Sequence, residues 1–387
     1  MKFAECMSRL GTETAFKVLA KAKELEAQGK HIVHLEIGEP DFDTPLNIRE
    51  AAVKALMDGQ THYSPAAGLP ALRKTIAETA ATIRGIDFNP NEVVVTPGAK
   101  PIMFFTLFAL INPGDEVMYP NPGFPIYESV INFIGARAVP YPLREEKEFS
   151  FDIEEFTKLI TNKTKLIILN SPQNPTGGIL SKKDLEAVAK LAIEKDIIIL
   201  SDEVYLKIIY EGQHHSIAAI PGMKDRTIIL DGFSKTYAMT GWRLGFGIMN
   251  KELATRVEQL QINSNSCTCT FSQYGAIEAL TGPQGEVAKM VAEFKKRRDV
   301  IVDGLNAIKG MSCLKPHGAF YVFPNISRLG INGEDFADRL LKDYGVAVLS
   351  GTAFGKFGSG YLRLSYANSV ENLQEALRRI AKAVSEL

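Results

Sequence analysis

In the stretch FSKTYAMTGWRLG, Phe233 to Gly245, Lys235 stands just beyond the apolar run TIILDGF, and Arg243 follows eight places later. A lysine at the end of a buried strand loses water, which favours its neutral, nucleophilic amine. Such an amine can hold a carbonyl compound as an imine. Other polar clusters also follow apolar runs: Asp202 and Tyr205 in SDEVY, Asn174 in NSPQNPTG, Phe124 in NPGFP, and Ala99 and Lys100 in TPGAK. Each has an ordinary reading by itself. Asp202 could cap a helix, NPTG is a turn tetrad whose proline and glycine pre-set its dihedrals, TPGA could only start a helix, and Lys235 could be a surface residue. Taken together, in this order, they describe one pocket.

The elements that would bring them together are legible. Short β-rich runs (EVVVTPG, DEVMYP, TKLIILNSP, DIIILSDEVY, RTIILDGFSK, RLGFGIM) alternate with helical segments such as SKKDLEAVAKLAIEK, where Ser181 and Asp184 form a capping box. Near-continuous apolar strands between helices predict an α/β core, a mostly parallel sheet covered by helices. Ligands collect beyond the carboxyl ends of such strands, where these clusters fall. At 387 residues the chain exceeds the roughly 250–300 at which a single core stops growing. The expected division is an N-terminal segment, 1–45, packing with a smaller α+β domain, 286–387, around a large domain, 46–285. The long charged helix EVAKMVAEFKKRRDVIVDGLNAI would open the smaller domain, and PHGAFYVFPNI and YLRLSYA would supply its strands.

Composition excludes several classes. Lys+Arg 44 against Asp+Glu 45 leaves no basic excess for nucleic acid. MKFAECMSRLGTE lacks the apolar core of a secretion signal, and MFFTLFALI, interrupted by Thr106, is too short to span a bilayer. No membrane association and a cytoplasmic address are the expectation. Cys6, Cys267, Cys269 and Cys313 have no zinc-like spacing, which predicts reduced, buried thiols and no metal site.

From LEIGEPDFDTP through YSPAAGLPALR, NSPQNPTGG, SDEVY and SKTYAMTGWRLG to GAFYVF and LRLSYA, the chain resembles the fold-type I pyridoxal-phosphate aminotransferases of class I/II, in the branch related to bacterial aspartate aminotransferases. The resemblance covers nearly the whole chain and implies that the parallel sheet is of the seven-stranded type. It implies pyridoxal 5'-phosphate as cofactor, with Lys235 as imine-forming lysine and proton shuttle between an L-amino acid and a 2-oxo acid such as 2-oxoglutarate, in a ping-pong cycle. Asp202 would face the ring nitrogen, and Tyr205 and Asn174 the phenolic oxygen. Backbone N–H groups of Ala99 and Lys100, with Ser234 and Arg243, would hold the phosphate. Gly232 departs from the family pattern, which often places a hydroxyl there. Phe124 would stack on the ring, the alternative being a core residue. Arg363 would clamp the substrate α-carboxylate, with Gly38 giving the backbone access to it. Tyr63 would reach the phosphate of a neighbouring subunit, implying a homodimer with shared sites near NSNSCTCT. Near the opening helix, Glu13 and Phe16 stand where relatives carry a small hydroxyl or basic residue, which leans the specificity toward neutral or aromatic amino acids. Lys17 is the one local candidate for a distal carboxylate. The same scaffold also hosts β-lyases and non-enzymatic sensor domains.

Overall fold

A computed structural model describes all 387 residues. Twelve strands occur in chain order: β1 (Val33–His34), β2 (Val93–Thr96), β3 (Glu116–Asn121), β4 (Arg137–Pro142), β5 (Thr164–Asn170) and β6 (Ile198–Asp202). They continue with β7 (Thr227–Gly232), β8 (Gly245–Ile248), β9 (Tyr321–Val322), β10 (Val346–Ala347), β11 (Leu349–Ser350) and β12 (Leu362–Ser365). The main sheet has the order β2-β8-β7-β6-β5-β3-β4. Pairing is parallel from β7 to β4, and β8 runs antiparallel to both β2 and β7.

The apolar runs of β5, β6 and β7 lie at the centre because helices cover both faces, so nearly every residue in them is buried. Register then does the positioning. Asn170, at the end of β5, lies directly opposite Asp202, at the end of β6, and Asp202 lies opposite Leu230 on β7. The predicted capping box is formed by Ser181 and Asp184 on the helix Lys182–Lys195. The helix Lys100–Leu110 begins directly after the β2 turn, as TPGA predicts.

β1 leaves the opening helix, Thr14–Ala27, and pairs in parallel with β10. Val33 and Leu35 thereby join a core with Phe294 of the long helix Gly285–Asn306, Phe336, Leu364 of β12 and Ile380. β12 is the middle strand of a second small sheet, between β11 and β9. Two sequence expectations are corrected. Within PHGAFYVFPNI only Tyr321–Val322 is strand, because neighbouring backbone bonds go to other partners: Tyr210 N donates to His317 O and Ala319 N to Ile208 O. Of the four free cysteines, Cys313 is buried, Cys6 and Cys267 are partly covered, and Cys269 is exposed at the start of the helix Thr270–Thr281. No helix is long and apolar enough to cross a membrane.

Candidate active site

A cleft of about 530 Å³ opens at the carboxyl ends of β5, β6 and β7. Lys235, Asp202, Tyr205, Asn174, Ala99, Lys100, Phe124, Ser234, Arg243, Gly38 and Arg363 all line it. Tyr63 does not, and its side chain is 90% exposed.

Lys235 is half-buried in the turn after β7. Its Nζ donates to the carbonyl of Gly38 at 2.5 Å and lies 5.8 Å from the centre of the Phe320 ring. Loss of water pulls its pKa down to about 8; Glu39 and Glu13 oppose the shift, and Lys100 and Arg363 add to it. The site thus holds an amine that gives up its proton more readily than an ordinary lysine.

Asp202 closes the inner end. Tyr127 Oη donates to its Oδ2 at 2.5 Å and the Val204 N–H to its Oδ1 at 3.3 Å. Burial nevertheless pushes the carboxyl up to about 6, against the Tyr127 hydrogen bond. An added cation facing this group would restore its charge. Tyr205 shares a 2.8 Å hydroxyl hydrogen bond with Tyr321, and burial drives its phenol well above the ordinary range. Asn170 fixes the neighbouring loop by donating to Asp202 O at 3.0 Å and accepting from Asn174 N at 2.9 Å. The Asn174 side chain is thereby aimed into the cleft, where its Oδ1 is buried without a partner. Gln173 donates to Pro122 O at 2.7 Å, tying this loop to the one that carries Phe124. Phe124 is half-buried and meets Tyr127 edge-on at 5.6 Å.

At the outer end lies a cradle for an anion. Gly98 has φ +86°, and a Cβ there would come within 2.3 Å of Arg243 Nη2. Only glycine allows both the backbone turn and the guanidinium packed on it. Arg243 is anchored to Thr240 O at 2.8 Å. Ala99 caps the helix Lys100–Leu110, and Ser234 completes the ring of donors. Gly232 is closely packed: a Cβ would lie 3.2 Å from Leu244 O, so a hydroxyl side chain would have to displace its neighbours.

Arg363, buried on β12, donates to the carbonyl of Glu36 and lies against Tyr321 and Phe354, at 4.7 and 5.1 Å from their ring centres. Its Nε is buried without a partner. Gly38 is required by a side chain rather than by a ligand alone, since a Cβ there would fall 2.0 Å from Tyr321 Oη. At the mouth, Glu13 and Phe16 line the cleft as expected, but Lys17 is exposed and outside it. The basic group at the mouth is Lys100, which pairs with Glu13 and lies 5.3 Å from the Phe124 ring centre. The opening helix turns the face bearing Phe16, not Lys17, toward the cleft. Tyr127 and Tyr321 were not singled out in the sequence. Tyr127 sits three residues beyond Phe124, a spacing that reads as helix packing, and Tyr321 sits in an apolar strand.

The residues fit pyridoxal phosphate. A buried carboxylate, an amide side chain lining the cleft, a glycine–arginine anion cradle and a low-pKa lysine are what its ring nitrogen, phenolic oxygen, phosphate and aldehyde require. Fold and site together define a pyridoxal-phosphate-dependent transaminase. The family model for "Aminotransferase class I and II" matches residues 30–380, and the chain belongs to that family. It is 43% identical to an aspartate aminotransferase from Pyrococcus abyssi over 372 residues, 95% of each chain. It is 42% identical to aromatic-amino-acid aminotransferase 2 from Thermococcus litoralis, over 93% of this chain and 94% of the relative. Among solved structures, aspartate aminotransferase from Thermus thermophilus with maleate superposes with a TM-score of 0.95 at 38% identity, covering 99% of this chain and all of the other.

Proposed function

We propose that the chain moves the amino group of an L-amino acid to a 2-oxo acid such as 2-oxoglutarate, in two half-reactions at one site, with Lys235 as the covalent anchor and proton carrier. The observation that carries this reading is the meeting, in one cleft, of a lysine pulled down to about 8, a buried carboxylate and a buried arginine with a free Nε. Pyridoxal phosphate, when bound, supplies the electron sink that makes the substrate Cα–H acidic. Asp202 holds the proton on the ring nitrogen, its own charge favoured by that cation. Tyr205 and Asn174 donate to the phenolic oxygen, and Phe124 packs on the ring. The Ala99 and Lys100 N–H groups, Ser234 and Arg243 hold the phosphate. Arg363 grips the α-carboxylate and so orients the Cα–H bond. Lys235, released from the cofactor, takes the Cα proton and returns it at C4′, a role typically contributing about 10²–10⁴ in rate.

Specificity is set at the mouth. Phe16 favours neutral or aromatic amino donors, whereas Lys100 offers a cation to the distal carboxylate of an acidic 2-oxo acid. The names of the relatives, aspartate and aromatic aminotransferases, span both choices. We further propose a cytoplasmic homodimer; the free thiols of all four cysteines and the exposed Tyr63 support it.

Lys235→Ala tests the central assignment. The variant should still bind cofactor but lose the covalent chromophore and nearly all turnover, read by absorbance during single half-reactions with aspartate, alanine, phenylalanine and leucine. Retained turnover would refute it. In the parent protein, an aspartate rate far above the others would overturn the lean toward neutral donors.

A further inference from the structure

Behind Arg363 lies a charged pair that the transfer itself does not use. The side chain of Glu36 is fully buried. Its Oε1 is 2.8 Å from His34 Nδ1, and its Oε2 has no partner. The other ring nitrogen, His34 Nε2, is 3.0 Å from Glu26 Oε1. A neutral imidazole has only one N–H, so only imidazolium can donate to both carboxylates. The bond to Glu36 holds the His34 pKa above the ordinary range against burial, and Glu26 adds to it. Glu36 is also joined to the clamp, since its carbonyl accepts from Arg363, whose Nε is free. One residue therefore carries both the anchor of the clamp and an unanswered buried acceptor.

The other groups around this pair do not replace His34. Glu26, on the helix Thr14–Ala27, is itself held by Lys23 at 2.8 Å. Asn368 donates only to the His34 carbonyl, and Arg379 is committed to Glu375 and to His31, just ahead of β1. Around Arg363 the remaining ionisable groups are Tyr321, Tyr205, Glu13 and Lys235.

We propose that Glu36 is a positioning residue for the carboxylate clamp and that the protonation of His34 decides whether Arg363 serves the substrate or Glu36; this rests on the reading of Arg363 as that clamp. With imidazolium at position 34, the Glu36 charge is answered and Arg363 keeps its Nε for a ligand carboxylate. When His34 loses its proton, one carboxylate loses its donor. Glu26 can turn to solvent, but Glu36 cannot, and an uncompensated buried charge is costly. Arg363 then becomes its partner. Carboxylate binding is therefore strong below the His34 midpoint and weakens as pH rises through it. By linkage, a bound carboxylate raises that midpoint.

The test uses the holoenzyme with a saturating amino donor and a varied 2-oxo acid, which itself has no amine to titrate. KM and kcat are followed from about pH 6 to about pH 9, spanning the imidazole range, in the parent protein, Glu36→Gln, His34→Gln and Arg363→Lys. The His34 ring is followed by NMR with and without the 2-oxo acid. In the parent, KM should rise on the order of fivefold or more through the His34 titration, while kcat keeps the same pH profile as in Glu36→Gln. Glu36→Gln should give a low KM that lacks this rise, and His34→Gln a high KM throughout. The 2-oxo acid should raise the His34 midpoint in the parent and not in Glu36→Gln. The same KM rise in Glu36→Gln, or a His34 midpoint indifferent to ligand, overturns the proposal. An unchanged KM in Arg363→Lys instead sinks the clamp reading on which it rests.

Discussion

Asp202 and Lys235 face the same cleft with their pKa values drawn toward each other, the carboxyl up to about 6 and the amine down to about 8. Burial destabilises both charges, and the cofactor contacts proposed for them would relieve both. For Asp202 the folded pKa lies above the unfolded value, so the native state binds the extra proton between about pH 4 and about pH 6. Its ionised form then costs stability above that window, and the cost vanishes below it. Asp202→Asn should therefore stabilise the cofactor-free protein at pH 8 by on the order of 2 kcal/mol, and the gain should fade as pH drops toward 4. The same variant should lose at least about a hundredfold in turnover, because an amide does not favour the protonated ring nitrogen. Paired urea titrations and half-reaction rates check both halves; a destabilised variant at pH 8 would show that the charge is already compensated. The positions of these two residues were legible in the sequence because each follows an apolar strand. Their partners were not. Tyr127 reaches Asp202 across 75 residues and Tyr321 reaches Tyr205 across 116, and local spacing carries no trace of such pairs.

The strand ends are held in register by a buried ion cluster. Glu203 follows β6 and Asp231 lies within the end of β7, and both face Arg84 at the end of the helix Pro70–Arg84. Arg84 is 2.7 Å from Glu203 and 3.4 Å from Asp231. Glu203 also accepts from Ser201 and Ser216 and meets His214 at 3.0 Å. It therefore keeps its charge, with a pKa well below the usual carboxylate range despite burial. Burial pushes Asp231 up to about 7, against the more distant Arg84. Arg84→Met should destabilise the protein by about 3–5 kcal/mol, since it leaves a buried carboxylate unanswered. In the parent, the depressed Glu203 pKa places its contribution above the unfolded carboxylate value, to be lost only as pH falls through the folded one. The unanswered carboxylate of the variant can relieve its cost by taking up a proton, so the parent's advantage should be largest near pH 8 and shrink as pH falls toward about 5; denaturation series in which the advantage grows on acidification would contradict the assignment. At this scale the sequence showed the six strands with unbroken apolar runs and missed β4. RAVPYP carries two prolines, which speak against a central strand, but β4 is the sheet's edge, where a missing N–H is tolerated.

For the whole molecule, the cleft gathers on one chain every candidate site residue except Tyr63, which the sequence resemblance assigns to a neighbour. Tyr63 is 90% exposed, and the stretch around Cys267 lies beside its loop: Thr270 donates to His62 O at 2.7 Å and Tyr274 to Gln60 at 3.0 Å. A large aromatic side chain held out on an ordered loop suits a contact between copies, as in a two-fold dimer whose surfaces are self-complementary. If Tyr63 donates to the phosphate of the partner's site, Tyr63→Ala should weaken cofactor binding about 10- to 100-fold, the value of a hydrogen bond to a charged group. Sharing can be separated from mere proximity by mixing inactive subunits. In a hybrid of Lys235→Ala and Tyr63→Ala chains, a shared arrangement places both lesions in one site and leaves the other intact. Activity should therefore reappear when the two variants are unfolded together and refolded at limiting cofactor. Were Tyr63 to serve its own chain, every site in the hybrid would carry one lesion and no activity would return. Size-exclusion with light scattering should give twice the 42.5 kDa chain for each variant and for the mixture. Restored turnover at that mass establishes the shared site, and its absence at the same mass assigns Tyr63 to its own subunit.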